Sequence, residues 1–154
     1  MHRILPNPFY VYARADHPLA QERAIPFGRI AREPFLMREN GSGTRLVTER
    51  AFAMHGLKPK IIMEVSSDES IKEAILAGAG VSVLSQHALG FAPPRQLAPL
   101  DVEGFPFDAH WSLVYSSGKQ PAPIARAFVD FARDGAAEVV SAAHAASGSE
   151  AQRP

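Results

Sequence analysis

Gly41-Ser42-Gly43-Thr44-Arg45 is the stretch whose residue types most directly suit ligand chemistry. Glycines let the backbone approach a ligand, a helix opening here presents amides with partial positive charge, and Arg45 adds a full charge. The chemistry is capture of an anion, with the Ser42 and Thr44 hydroxyls as two more donors to a phosphate or carboxylate. The stretch lacks the lysine and spacing of a P-loop and is too short for a dinucleotide fingerprint, so nucleotide hydrolysis is not indicated. A glycine turn with Ser42 as an ordinary helix cap accounts for the same residues equally well. Glu39 bears on the choice, because its carboxylate repels an anion unless it pairs with Arg38 or Arg45.

Ser66 and Ser67 follow an apolar run, at the carboxyl end of a predicted strand, where open α/β sheets place ligand contacts. Ser66 and Glu69 also have the spacing of a capping box, and capping alone is enough to account for Ser66. Other chemistries find little support. The six histidines, at 2, 17, 55, 87, 110 and 144, are scattered, with no pair at metal spacing. There is no cysteine and no Gly-x-Ser-x-Gly nucleophile elbow. Neither a catalytic centre nor a cofactor or metal is expected. Trp111 and Tyr115 fall on the apolar face of one strand and read as core.

The elements that must position these residues follow from periodicity. Phe9 to Ala13 reads as a strand broken by Asp16-His17-Pro18, Ile25 to Ala31 as a short helix entered at Pro26, and Phe35 to Met37 as a buried strand. The glycine-rich turn then opens a helix with Val47, Ala51 and Met54 inward, stopped by Gly56. Ile61 to Val65 reads as a strand covered on both faces of a parallel sheet. A helix burying Ile71, Ala74 and Ile75 follows, and Gly78-Ala79-Gly80 leads into a strand at Val81 to Leu84. The βαβ pattern thus repeats, the mark of an open α/β sheet. Prolines at 93, 94, 99 and 106 leave a connecting segment with one short edge strand near Leu97 to Leu100. Phe107 to Tyr115 alternates as a strand with no partner downstream, and a helix entered at Pro121 and Pro123 buries Ile124, Phe128 and Phe131. That helix is expected to fray near Val140, leaving 141–154 as a disordered tail.

The whole chain has 154 residues, 46% of them hydrophobic, with 16 basic and 16 acidic side chains and zero net charge. This suits one domain or two small lobes and removes the basic footprint that nucleic acid requires. The longest apolar run, Ala74 to Leu84, is interrupted by glycines and far shorter than a membrane helix. Met1 to Pro8 has no secretory character, so the expected location is cytoplasmic, with no membrane partner.

Arg38-Glu39-Asn40-Gly41-Ser42-Gly43-Thr44-Arg45, then Ser66-Ser67-Asp68-Glu69-Ser70-Ile71-Lys72, then Gly78 to Ser85 resemble LysR-type transcriptional regulators in order and spacing. Leu100 to Pro106, followed by Trp111 and the helix at Phe128, is similar to the CbbR-type branch that controls carbon-fixation operons. The turn His17-Pro18-Leu19-Ala20 also resembles one in these regulators, and the similarity runs from about Phe9 to Phe131.

The resemblance implies an α/β effector domain of periplasmic-binding-protein-like (type II) fold, with one complete lobe and part of the second. It implies an inter-lobe crossover strand over 1–18, effector-binding lobe II over 19–106, and the return strand and helix of an incomplete lobe I over 107–140. It further implies effector contacts at Ser42, Gly43, Thr44, Arg45, Ser66 and Ser67. The implied ligand is a small anionic metabolite: a sugar phosphate, phosphoenolpyruvate or a nicotinamide nucleotide. DNA contact is implied only through an N-terminal helix-turn-helix missing from this chain, with homo-oligomers in the full-length protein. Two other readings stay open, a solute-binding protein of the same fold and a small phosphate-handling α/β enzyme.

Overall fold

The run Pro34-Phe-Leu-Met-Arg38 forms strand β3 (Pro34–Arg38), and its side chains alternate between two covered faces. Phe35, Leu36 and Met37 are all at most 1% exposed, so both faces are packed. The computed structural model describes residues 2–90, 95–114 and 122–150. The chain divides into two compact units, residues 8–108 and residues 1–7 with 109–154.

In the larger unit the elements run β2 (Phe9–Arg14), α1 (Phe27–Ile30), β3, α2 (Gly43–Met54), β4 (Lys60–Val65), α3 (Asp68–Leu76), β5 (Ser82–Ser85) and β6 (Leu97–Pro99). β3 and β4 pair in parallel through the α2 crossover. Phe35 and Val81 form a parallel bridge beside β3, and β2 runs antiparallel to both β5 and β6. Phe52 of α2 meets Phe35 edge-on at 5.3 Å and Phe27 at 4.7 Å. On the opposite face Ile71 and Ile75 of α3 pack with Tyr12, Leu36, Leu84 and Leu97. This α/β layering carries most of the buried apolar area, the main stabilising term in such a unit.

Several sequence expectations change. β2 lies centrally between β5 and β6 in the larger unit, and packing divides the chain at 7/8 and 108/109, where the expected boundaries were 18/19 and 106/107. The inward stripe of α2 is Thr48, Ala51 and Phe52, while Met54 is 69% exposed. Burial of the threonine is tolerated because its hydroxyl donates to the Thr44 carbonyl at 2.8 Å. β4 is not covered on both faces: Ile61, Ile62 and Met63 are each close to half exposed. Among the described residues β4 pairs with β3 alone. An apolar run reads the same whether its strand is central or at an edge.

In the smaller unit β7 (His110–Leu113) pairs antiparallel with β1 (His2–Pro6), a strand that the sequence did not announce. The partner of β7 therefore lies upstream. Trp111, Ile124, Phe128 and Phe131 are exposed, not core. Periodicity locates an apolar face but does not supply what covers it. Helix α4 (Pro123–Glu150) continues past Val140, in keeping with the high helix propensity of its alanines, so 141–150 is helical rather than a disordered tail. Tyr115, the turn at 116–119, Pro121 and the prolines at 93 and 94 lie outside the described residues.

Candidate functional site

The β3–β4 register places Arg38 opposite Val65, so the segments that leave the two strands emerge at one edge of the sheet. One is the turn from Glu39 to Ser42, the other Ser66-Ser67, and each enters a helix. Gly41 has φ +89°, a left-handed conformation that glycine adopts without a Cβ penalty. Ser42 is the N-cap of α2, its Oγ accepting from the Arg45 amide at a long 3.5 Å. Thr44 lies in the first turn of α2, and a Cβ on Gly43 would stand in open space. A cavity of about 220 Å³ opens here, lined by Asn40, Gly41, Ser42, Gly43, Arg45, Leu46 and Glu49. The first-turn amides of α2 and the Ser42 hydroxyl are donors suited to a negatively charged group.

At the second segment the expected capping box shifts by one residue. Ser67, not Ser66, is the N-cap of α3; its Oγ accepts from the Ser70 amide at 3.1 Å and donates to Ser70 Oγ at 2.9 Å. Ser66 occupies the bend between β4 and α3, with its side chain exposed. Of the six expected contact residues, Ser42, Gly43 and Arg45 line the cavity, while Thr44, Ser66 and Ser67 are not in its lining; both N-cap hydroxyls are engaged.

The charges are paired. Arg38 forks onto Glu39, with Nε to Oε2 at 2.7 Å and Nη2 to Oε1 at 3.0 Å, and its Nη1 donates to Asp68 Oδ1. The Glu39 hydrogen bond is the main cause holding the Arg38 pKa above its ordinary value; reciprocally, Arg38 holds the Glu39 carboxyl below its own. Glu39 is thereby paired, with the single Arg38 charge divided between Glu39 and Asp68, so the three side chains together keep one negative charge. Arg45 is also engaged: Nε donates to Glu49 at 2.8 Å, and Nη1 to Glu64 at 2.5 Å and to the Arg38 carbonyl at 2.9 Å. Glu49 and then Glu64 push its pKa up. Sequence reasoning named Arg38 as a partner for Glu39 but missed Glu49, Glu64 and Asp68 as parts of this network. Glu49 was within reach, four residues beyond Arg45 on a helix. Glu64 and Asp68 become neighbours only through strand pairing. Among the described residues no group of three His, Asp or Glu is placed to hold a metal ion.

Residues 1–137 match the family described as LysR substrate binding domain. The chain is 44% identical over 140 residues to the HTH-type transcriptional activator CmpR of Synechocystis sp., covering 88% of this chain and 45% of that protein. It is 46% identical over 134 residues to a RuBisCO operon transcriptional regulator of Allochromatium vinosum, covering 86% and 44%. The chain therefore spans under half the length of these curated relatives. Among solved structures it is similar to the Synechocystis PCC6803 CcmR regulatory domain in complex with 2-PG, with TM-score 0.81, 41% identity, and 86% of this chain and 64% of that one covered. The effector binding domain of QuiR in complex with shikimate shares the fold, with TM-score 0.73, 21% identity and coverage of 86% and 62%.

Proposed function

Because the chain belongs to the LysR substrate-binding-domain family, we propose that it is the effector-sensing part of a transcriptional regulator of the CmpR and CbbR kind. In this reading the sheet edge that carries Ser42, Gly43, Thr44, Arg45, Ser66 and Ser67 takes a small anionic metabolite of the 2-PG type. The larger unit serves as effector-binding lobe II, and residues 1–7 with the segment after 108 serve as part of lobe I. Contact with DNA and assembly into homo-oligomers are roles of the whole regulator, acting in the cytoplasm without turnover of the effector. An effector that favours one lobe arrangement over another shifts that equilibrium, and the geometry on the operator follows.

The observation that carries the reading is the cavity of about 220 Å³ at the entrance of α2, lined by Ser42, Gly43 and Arg45, with the β3–β4 register bringing the segment that enters α3 to the same end of the two strands. The CcmR domain in complex with 2-PG, at 41% identity, supports the ligand class.

Thermal unfolding of the chain with and without 2-PG tests it. A ligand that binds only the native state stabilises by RT ln(1 + [L]/Kd), about 2.7 kcal/mol at a hundredfold excess over Kd. The expected result is a midpoint that rises with 2-PG and no longer rises in Arg45→Ala. An equal rise in Arg45→Ala would remove Arg45 from the site, and a midpoint that no phosphorylated metabolite moves would overturn the reading.

A further inference from the structure

Among the described residues Arg45 is the one full positive charge lining the cavity, yet its guanidinium is already occupied on two sides. A guanidinium has five N–H donors and no acceptor; the bonds described here use Nε and Nη1, so an oxyanion that forks across the two Nη groups must take a donor that Nη1 now gives elsewhere. The three partners differ in how readily they leave. The Arg38 carbonyl is main chain of β3 and cannot depart without the strand. Glu49 is four residues along the same helix and moves with Arg45. Glu64 reaches Arg45 from β4 by its side chain alone, and that side chain is 49% exposed while the Arg45 side chain is 15% exposed. A half-exposed carboxylate regains water when released, so giving up this pair costs little.

We infer that Glu64 is a specificity-determining residue, an internal anion that occupies Arg45 Nη1 until a ligand exchanges for it. The inference rests on the proposed role of Arg45 as an effector contact. Exchange favours a ligand whose charge-assisted bonds to Arg45 exceed those of one carboxylate, which a dianionic phosphate group supplies and a simple monocarboxylate does not. Glu49, which stays in the cavity lining, adds to the rejection of weak anions. Glu64 thus sets a threshold of ligand charge without touching the ligand.

Isothermal titration with 2-PG and with acetate, on the parent chain, Glu64→Gln, Arg45→Ala and the double variant, tests the exchange. Glu64→Gln is expected to bind 2-PG about two- to fivefold tighter, the range set by the strength of an exposed ion pair. The gain should disappear when Arg45 is also alanine, since the two residues then no longer couple. Acetate should gain measurable binding in Glu64→Gln. Unchanged or weaker 2-PG binding in Glu64→Gln, with binding lost in Arg45→Ala, overturns the exchange and leaves Arg45 as an effector contact. A gain that persists in the double variant also overturns it, because a general loss of negative charge then accounts for the effect. Parent-like binding in Arg45→Ala, or no binding of 2-PG by any form, overturns both. If Glu64→Gln lacks a cooperative unfolding transition, Glu64→Asp takes its place: the charge stays, the carboxylate retreats by one methylene, and a smaller gain is expected.

Discussion

Arg38, the last residue of β3, donates a hydrogen bond to Asp68, the first residue of α3, across 30 positions of sequence. The same guanidinium forks onto Glu39, so one side chain ties the turn before α2 to the entrance of α3. Its side chain is only 15% exposed and that of Asp68 27%, which makes this pair stronger than an ordinary surface ion pair.

Arg38→Ala should therefore lower unfolding stability by about 1–3 kcal/mol, because it leaves partly buried acceptors unsatisfied. Arg38→Lys should recover less than half of the loss, since an ammonium cannot reproduce the planar fork. Urea titration of the three forms measures both. Equal stability in the alanine variant and the parent would show that the pair is solvated.

Acid should act through the same group. The Arg38 hydrogen bond holds the Glu39 carboxyl below its ordinary value of 4.5. As pH falls the unfolded chain takes up this proton before the folded one does. The contribution is complete above the ordinary carboxylate range and is lost as pH falls through the lowered value. The unfolding midpoint should decline below about pH 4.5, and the decline should be shallower in Arg38→Ala, as thermal melts over pH 3 to 6 would reveal.

Alkali should act through Tyr12. Burial, with a smaller part from neighbouring Tyr10, raises its phenol from 10.0 to about 12. Here the folded state keeps its proton after the unfolded chain has lost it, so the contribution is present below pH 10 and falls away between 10 and about 12. Tyr12→Phe should flatten the stability profile over that window, by an amount on the order of 2 kcal/mol. Denaturant midpoints at pH 9 and pH 11 for the two forms test this.

Gly80 should be intolerant of any side chain. A Cβ there would stand 2.2 Å from the Pro34 carbonyl oxygen and 2.9 Å from its carbon, both main chain of β3. The Val81 amide also donates to that Pro34 carbonyl at 2.9 Å, so the strands cannot part without losing the bond. Gly80→Ala should cost about 3 kcal/mol or prevent folding. Gly43→Ala, with open space around its Cβ, should remain within about 0.5 kcal/mol of the parent. Thermal melts of the two variants separate the cases.

What the amino-acid order determined by itself is local. Gly41-Ser42-Gly43 dictates a turn into a helix, Ile71 and Ile75 mark the buried side of α3, and Phe35-Leu36-Met37 marks a strand packed on both faces. These follow from glycine's freedom at positive φ and from periods of 3.6 and 2, which reach only a few residues. The candidate site was legible to the same extent: the residues that line the turn, not the charges that occupy it.

Tertiary structure decided the rest. Ile61, Ile62 and Met63 read as buried, but β4 lies beside β3 with no further strand paired to it among the described residues, and they are close to half exposed. Trp111 and Phe128 lie on apolar faces that periodicity identifies, yet exposure depends on what packs against them, which is a property of distant chain. Ser66 and Ser67 both suit a cap, and the end of β4 at Val65 selects Ser67 by leaving Ser66 in the bend. Arg45 reads as a cation awaiting an anion, and strand pairing instead brings Glu64 to it across 19 positions of sequence. Such pairs form where burial of the β3 and α3 side chains sets the register, and no short-range pattern encodes that register.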